Sequence, residues 1–259
     1  MSLTSRQVQG DSIGAGETLR VAVITRVGER NVANQDRVVV NNTVIASEQR
    51  TVAMFNPQLP CLVAVFDGLG GHRGGDIAAA LAADVVASGS RSIATEDDLI
   101  ELVEEANRHL YRIMYDYFSL DGMGTTVAGV YVTPDAMTVF HVGDSRVYTY
   151  ADGNLTAETA DDANPRTGLI TQVLGGSNRF TPIRVHTSAL PSAGGRILAA
   201  TDGLFSLADP DSLSEAMKGP LDSVPDQLHE VAVNSRNPDD FTVAVIETTP
   251  KGGSPTGGG

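Results

Sequence analysis

The sequence predicts an α+β domain in which helices stack outside packed antiparallel sheets. Three observations favour this class. Apolar, strand-like runs recur along the chain and cluster into pairs that suit antiparallel neighbours. The helical segments come in consecutive pairs, whereas a parallel sheet requires single helices that alternate with strands. At 259 residues and 41% hydrophobic content, the chain is long enough to bury a large core.

The individual elements follow from local patterns. The clearest helix is expected over 97–118, because its apolar positions form one stripe and two aspartates lie in its first turn. Alanine-rich residues 76–88 predict a helix packed closely on a sheet. The remaining expected elements are a strand over 19–26, a hairpin near 38–52 through Asn41-Asn42, strands over 125–132, 137–142, 146–150, 183–187 and 196–200, helices over 213–218 and 224–234, and a last strand over 241–247.

The domain organisation is predicted to be simple. Residues 19–248 are expected to form a single domain, because no linker-like stretch interrupts the apolar runs and turns. Residues 1–18 are small and polar, which predicts a flexible N-terminal segment. The glycine-rich residues 249–259 predict a disordered tail.

Composition narrows the possible partners and the compartment. Lys and Arg total 18 against 32 acidic residues, a formal charge of −14, which argues against nucleic acid or an anionic membrane as the main partner. The single cysteine, Cys61, excludes an internal disulfide and suits a reducing compartment. Without a membrane-length apolar run or a signal-peptide pattern, a cytoplasmic monomer is expected.

Four aspartates lie at the ends of apolar, strand-like runs: Asp36, Asp67, Asp202 and Asp239. The pair Asp152-Gly153, by contrast, joins two such runs directly and predicts a hairpin turn. If outgoing and incoming strands are antiparallel neighbours, all four carboxylates fall on one sheet edge. Clustered carboxylates repel one another unless a positive charge lies among them. Such hard oxygen ligands suit magnesium, manganese or calcium.

Four short stretches share their order and spacing with the motifs of a known family. They are VFDGLGGH at 65–72, GMGTT at 122–126, HVGDSR at 141–146 and LITQVLG at 169–175. Together they resemble the metal-dependent serine/threonine protein phosphatases of type 2C, in their bacterial form. The resemblance runs from about residue 21 to 247 and implies a four-layer αββα sandwich, with two antiparallel sheets flanked by helix pairs.

The resemblance also implies a two-metal mechanism. Two divalent cations, Mn²⁺ or Mg²⁺, neutralise the charge of a phosphate monoester and ionise a bridging water, and no phosphoenzyme forms. By similarity, Asp67 bridges both ions, Asp202 and Asp239 hold the first, and the backbone carbonyl of Gly68 helps to hold the second. Asp36 resembles the acid that orients metal-bound water.

Two basic side chains near the motifs have competing interpretations. Arg30 is a candidate for binding the substrate phosphate, although it lies one residue farther from Asp36 than the family pattern places this arginine; the alternative is a solvated side chain. His72 is expected to be structural rather than a general acid, because family members that use such a histidine place it where this chain has Leu69.

The chain departs from the family pattern near the expected site. Gln35 stands where many relatives have Glu, and Asp240 replaces a usual Asn and adds negative charge. The flap is reduced to residues 161–167, which predicts a more open cleft. Asp144 is expected to brace a turn beside the site, and Arg146 to pair with a neighbouring acid.

A third metal ion is expected to bind weakly at most. Many relatives have an aspartate at the position of Ser206, and a hydroxyl is a poorer ligand for a hard cation than a carboxylate. Asp121 is the remaining candidate ligand for a weak third site.

Three functions remain open from the sequence. The leading one is hydrolysis of phosphoserine and phosphothreonine on proteins, which reverses the action of a cognate kinase. A non-catalytic module that binds phosphorylated partners is the second, and the full set of Asp67, Asp202 and Asp239 argues against it. The third is hydrolysis of small phosphate monoesters, which the open cleft favours slightly.

Overall fold

The computed structural model describes residues 6–7, 19–29, 31–46, 50–69, 74–190 and 195–248. Apart from the two-residue strand at 6–7, the predicted flexible segment over 1–18 lies outside the described residues. The predicted disordered tail over 249–259, Arg30 and His72 also lie outside them.

The described chain forms sixteen strands and five α-helices. The strands are β1 (Arg6–Gln7), β2 (Leu19–Arg26), β3 (Arg37–Val40), β4 (Thr43–Ile45), β5 (Arg50–Phe55), β6 (Cys61–Phe66), β7 (Gly68–Leu69), β8 (Gly124–Thr125), β9 (Val127–Val132), β10 (Met137–Val142), β11 (Arg146–Ala151), β12 (Asn154–Ala157), β13 (Leu174–Gly175), β14 (His186–Leu190), β15 (Gly195–Ala200) and β16 (Phe241–Thr248). The helices are α1 (Gly75–Gly89), α2 (Glu96–Asp116), α3 (Asp202–Phe205), α4 (Pro210–Ala216) and α5 (Val224–Asn234). Among the described residues, no helix is both long and apolar enough to cross a membrane.

Two large sheets form the centre of the fold. One has seven strands in the order β1-β5-β2-β16-β15-β11-β12, and the other has six in the order β14-β10-β9-β6-β3-β4. All neighbours are antiparallel except β1 and β5, which pair in parallel. A third, small sheet joins β13, β8 and β7.

Three buried apolar clusters separate four layers. One lies between the six-stranded sheet and the helices α1 and α2, a second between the two large sheets, and a third between the seven-stranded sheet and the helices α3 to α5. Strands such as Cys61–Phe66 are buried on both faces, because each central strand lies between two of these clusters. The four-layer αββα sandwich predicted from the sequence is therefore confirmed.

Helix α2 shows why the local sequence adopts this structure. Thr95 and Asp98 form a capping box that satisfies backbone N–H groups at the start of the helix. The buried positions Leu99, Val103 and Leu110 share one face that packs toward the core. The amphipathic helix expected over 97–118 is thus present, within two residues at each end.

The strand predicted over 183–187 is displaced in the structure. The observed strand is β14, His186–Leu190, which pairs with β10. The side-chain amide of Gln172 explains the shift, because it donates to the carbonyl of Arg184 at 2.9 Å and accepts from its N–H at 2.7 Å. Both backbone groups of Arg184 are satisfied without a partner strand, so regular pairing begins two residues later.

The first predicted hairpin is shorter than expected, and the second is confirmed. Asn41 adopts a positive φ of 53° between β3 and β4, but residues 50–55 pair with β2 in the other sheet. Asp152 and Gly153, with φ of 50° and 81°, connect β11 to β12 as the Asp-Gly pattern predicts.

The expectation that the four aspartates lie on one sheet edge was wrong. Asp36 precedes β3 and Asp67 follows β6, and these strands are neighbours in the six-stranded sheet. Asp202 follows β15 and Asp239 lies just before β16, and these strands are neighbours in the seven-stranded sheet. Each sheet therefore contributes two aspartates, and the packing of the sheets brings the pairs together.

The core beneath the seven-stranded sheet gives a direct test of this packing. Leu204 is fully buried there, whereas Leu207 is 59% exposed. We expect Leu204→Ala to lower the free energy of unfolding by about 2–5 kcal/mol, because the substitution leaves a cavity. Leu207→Ala, the matched control, should change it by about 0.5 kcal/mol or less. Equal effects in urea denaturation would contradict the assigned burial.

Candidate active site

The predicted aspartates meet in one buried, electrostatically coupled cluster. Burial raises the pKa of Asp67 well above its usual value, and the negative charges of Asp36, Asp202, Asp144 and Asp239 raise it further. Burial likewise raises the pKa of Asp202, and the charge of Asp239 adds to this effect. The structure thus brings together four aspartates selected from the sequence and adds Asp144 to them.

The backbone around Asp67 is fixed from two sides. Its carbonyl accepts hydrogen bonds from the N–H of Thr126 and the hydroxyl of Thr125, each at 2.9 Å. Its own N–H donates to the hydroxyl of Thr126 at 3.1 Å, and that hydroxyl contacts Ser145 at 2.7 Å. These contacts fix the backbone at the end of β6, from which the Asp67 carboxyl group extends toward the other aspartates.

The side chains of Asp67 and Asp202 are electrostatically coupled. The Asp67 side chain lowers the pKa of Asp202 and so offsets part of the rise that burial and the charge of Asp239 cause. Two buried carboxylates repel each other unless a proton or a cation lies between them. A divalent cation would serve here, because carboxylate oxygens are ligands that Mg²⁺ and Mn²⁺ prefer. The donor set therefore fits a hard divalent ion.

Asp36 is buried and only partly satisfied. Its Oδ2 accepts a hydrogen bond from the Thr201 hydroxyl at 2.8 Å, whereas its Oδ1 has no hydrogen-bond partner among the described residues. Burial raises the pKa of Asp36 well above its usual value, and the negative charge of Asp240 raises it further. Hydrogen bonds from the hydroxyls of Thr201 and Thr242 lower it in part. A buried carboxylate oxygen without a donor suits a site in which water completes the hydrogen bonding.

Gly68 packs against the start of helix α1. A Cβ atom at this position would lie 2.2 Å from the carbonyl oxygen of Gly75 and 2.7 Å from that of Gln35. A Cβ atom at Gly75 would in turn lie 2.6 Å from the side-chain oxygen of Gln35. Packing against the backbone therefore requires glycine at residue 68 whatever its role toward a metal.

Asp240 has a structural role that the sequence does not reveal. Its two carboxylate oxygens accept hydrogen bonds from the N–H groups of Gly28 and Gln35, both at 2.7 Å. Burial raises the pKa of Asp240, and these two hydrogen bonds counteract the increase. The residue expected to add negative charge near the site therefore also ties the segment before Asp36 to the start of β16.

Arg146 forms the ion pair that the sequence predicts. Its guanidinium group donates two hydrogen bonds of 2.7 Å to Asp161 and lies 4.1 Å from the ring centre of Phe205. The neighbouring Asp144 has its pKa raised to about 6, mainly by burial and then by the charges of Asp202 and Asp161. Arg146 thus anchors the first residue of the short flap beside the acidic cluster.

The two residues considered for a third metal ion are not equivalent. Asp121 is exposed, immediately after the 3₁₀ turn Phe118–Leu120. The Ser206 hydroxyl accepts a hydrogen bond of 2.8 Å from the amide of Asn237, which also donates to the carbonyl of Gly203 at 3.0 Å. Ser206 therefore stabilises the turn after Asp202.

A buried polar network supports the cluster and was not singled out from the sequence. The Asn34 amide donates to the Thr25 hydroxyl at 2.8 Å, and Thr25 contacts the Thr242 hydroxyl at 2.7 Å. The Asn34 side chain also accepts from the N–H of Asp36 at 2.9 Å. The sequence offers one signal for this network, which is proximity: each of Asn34, Thr201 and Thr242 lies within two residues of a predicted aspartate or of Asp240.

Comparison with known sequences identifies the class of protein. The family profile described as protein phosphatase 2C matches residues 46–234, more than half of the chain. The chain therefore belongs to the protein phosphatase 2C family. Asp67 and Asp202 lie within the matched range, whereas Asp36 and Asp239 lie outside it.

Particular relatives support this assignment. The chain is 29% identical over 213 residues to the serine/threonine protein phosphatase PstP of Mycobacterium tuberculosis, and the match covers 72% of this chain but only 40% of that protein. It is 25% identical over 257 residues to the protein phosphatase PhpP of Streptococcus pneumoniae, covering 88% of this chain and 97% of PhpP. A crystal structure of the catalytic domain of PstP in complex with two manganese ions is similar, with 26% identity and a TM-score of 0.72, covering 90% of this chain and 99% of that structure.

The role of Asp240 in tethering the segment before Asp36 is directly testable. Asp240→Ala removes both acceptors and leaves two buried N–H groups without a partner, which costs about 1–3 kcal/mol for each group. We therefore expect the amides of Gly28 and Gln35 to exchange with solvent about tenfold faster or more. Amide exchange followed by NMR measures this. The exposed Asp84→Asn substitution on α1 should leave both rates unchanged, and unchanged rates in Asp240→Ala would refute the tether.

Proposed function

We propose that this protein is a metal-dependent phosphatase that hydrolyses phosphoserine and phosphothreonine on proteins. The observation that carries the proposal is the buried aspartate cluster centred on Asp67, where burial and four neighbouring carboxylates raise its pKa. Such a cluster costs folding free energy unless cations neutralise it, so its presence favours a metal-dependent function. Membership of the protein phosphatase 2C family and the manganese ions of the PstP structure support the same function.

The residues of this chain divide into ligands and groups that act on substrate or water. Asp67, Asp202, Asp239 and the Gly68 carbonyl would hold two divalent ions, Mn²⁺ or Mg²⁺. Such ions supply charge neutralisation for a phosphate monoester and a lowered pKa for bound water.

Asp36 would orient water in the site, because its Oδ1 is buried and lacks a donor among the described residues. The fixed backbone of Asp67 and the hydrogen bond from Thr201 to Asp36 keep these groups in place. Arg30 remains a candidate for donating hydrogen bonds to the substrate phosphate.

A third ion would bind weakly at most. Asp121 is exposed, and the Ser206 hydroxyl already accepts a hydrogen bond from Asn237. A site built from one carboxylate and water molecules would hold a divalent ion only loosely.

The substrate is proposed to be a phosphorylated protein rather than a small ester. PstP and PhpP are both named as protein phosphatases, and the retained aspartates disfavour a module that only binds phosphorylated partners. The flap folds tightly: the N–H of Thr171 donates to the carbonyl of Asp162 at 2.6 Å. With so short a flap, we expect a docking surface elsewhere, or broad specificity.

The biological setting is also part of the proposal. The enzyme would act as a monomer in the cytoplasm and reverse phosphorylation by a cognate serine/threonine kinase in signalling. The single, buried Cys61 suits a reducing compartment. The charge of −14 disfavours nucleic acid or an anionic membrane as a partner.

The central test replaces Asp67, which would hold both ions. Asp67→Asn removes a charge needed to hold two cations, so activity on a phosphothreonine peptide in Mn²⁺ should fall by at least about a hundredfold. The fold should persist, since the substitution relieves repulsion among carboxylates. Asp84→Asn, which removes an exposed charge on α1, is the matched control and should retain full activity.

The same assay separates the three functions. A protein phosphatase should be inactivated by EDTA and should prefer the phosphopeptide to p-nitrophenyl phosphate. Preference for the small ester would favour a small-molecule hydrolase, and phosphopeptide binding without turnover would favour a binding module. Full activity in Asp67→Asn, or activity insensitive to EDTA, would refute the proposed metal site.

A further inference from the structure

Two histidines lie directly opposite each other on neighbouring strands, outside the proposed ligand set. His141 on β10 and His186 on β14 are register partners, and their rings stack with centres 4.8 Å apart at an angle of 20°. Asp162, in the flap, approaches the same point, and its Oδ1 lies 2.9 Å from Nε2 of His186. One potential ligand atom from each of the three residues lies within 4.8 Å of the others.

We propose that His141, Asp162 and His186 form a second metal site, specific for an ion such as Zn²⁺ that prefers imidazole ligands. Imidazole suits zinc, whereas the all-oxygen donor set around Asp67 suits Mg²⁺ or Mn²⁺. Three protein ligands leave a fourth zinc position open to water. The site is therefore distinct in chemistry from the aspartate cluster.

The protonation of His141 favours metal binding. Its Nε2 lies 2.9 Å from the carbonyl oxygen of Ala160, which accepts hydrogen bonds only, so Nε2 carries the proton and Nδ1 keeps a lone pair. Burial lowers the pKa of His141, which favours the neutral ring that metal binding requires. A histidine whose second nitrogen donates to a backbone carbonyl has the arrangement typical of metal ligands.

Asp162 is oriented in the same manner. Its Oδ2 accepts hydrogen bonds of 2.9 Å from the N–H of Gly143 and from the side-chain amide of Gln172. The other oxygen, Oδ1, is directed to His186. The side chains of Asp162 and His186 are 14% and 33% exposed, so an ion can enter from solvent.

The ligand atoms are close enough for metal coordination once a ring rotates. Ligand atoms about 2.0–2.2 Å from a tetrahedral zinc ion lie roughly 3.3 Å apart, close to the 2.9 Å between Nε2 of His186 and Oδ1 of Asp162. The two rings are nearly parallel, so one of them would turn about its Cβ–Cγ bond to bring both ring nitrogens to one ion. Because Asp162 belongs to the flap, bound zinc would fasten the flap to strands β10 and β14.

The test uses the whole protein and Zn²⁺ itself, in excess Mg²⁺ to compete at the aspartate cluster. Calorimetry should show that the wild type binds one equivalent of zinc tightly. His186→Gln should raise the dissociation constant for zinc by ~10-fold or more, because one of three ligands is lost. Glutamine retains an N–H donor for Asp162, which protects the fold. His109→Gln, on helix α2, is the matched control and should bind zinc as the wild type does.

Imidazole nitrogen NMR of the wild type provides a readout that does not depend on a variant. Zinc should shift a ring nitrogen of both His141 and His186 and leave His109 and His229 in place. Unchanged zinc binding in His186→Gln, or imidazole resonances that do not move, would overturn the proposal. Zinc that shifts His109 or His229 equally would also overturn it, because it would indicate general surface binding.

Discussion

Buried negative charge is the constraint on which the rest of this structure depends. One sheet carries Asp36 and Asp67 at its strand ends, and the other carries Asp202 and Asp239. The packing of the two sheets therefore brings like charges together. A carboxyl group whose folded pKa is raised adds stability below its unfolded pKa, about 3.9, and loses that contribution as pH rises through the folded value. At neutral pH the metal-free cluster is therefore destabilising, and hydroxyl donors such as Thr201 compensate only part of this cost.

The sequence predicts much of this arrangement because the relevant signals are local. Strand ends marked by aspartate, the capping of α2 and the turn at Asp152-Gly153 depend on residues close together in the chain. The wrong predictions involve long-range contacts. The strand expected over 183–187 begins later because Gln172, twelve residues before Arg184, satisfies its backbone. The division of the aspartates between two sheets is likewise set by tertiary packing.

The site shows the same limit at the level of single residues. The four aspartates come together as expected. The roles of some neighbouring residues, however, depend on contacts that cannot be inferred from the residue type. Asp240 appears in the sequence as surplus charge, yet its oxygens bind two backbone N–H groups from residues over 200 positions away. The family resemblance gives Gly68 a role through its backbone carbonyl, and the structure shows that packing against Gly75 by itself already requires glycine there.

Divalent cations are expected to neutralise the buried aspartates and so to stabilise the fold. The most direct measurement is urea unfolding of metal-free protein at neutral pH with increasing Mn²⁺. We expect the free energy of unfolding to rise with the logarithm of Mn²⁺ concentration, by about 2.7 kcal/mol at a hundred times the dissociation constant. The increase should be largely lost in Asp67→Asn. Stability that does not change with Mn²⁺, or that rises equally in the variant, would show that cations do not neutralise this cluster.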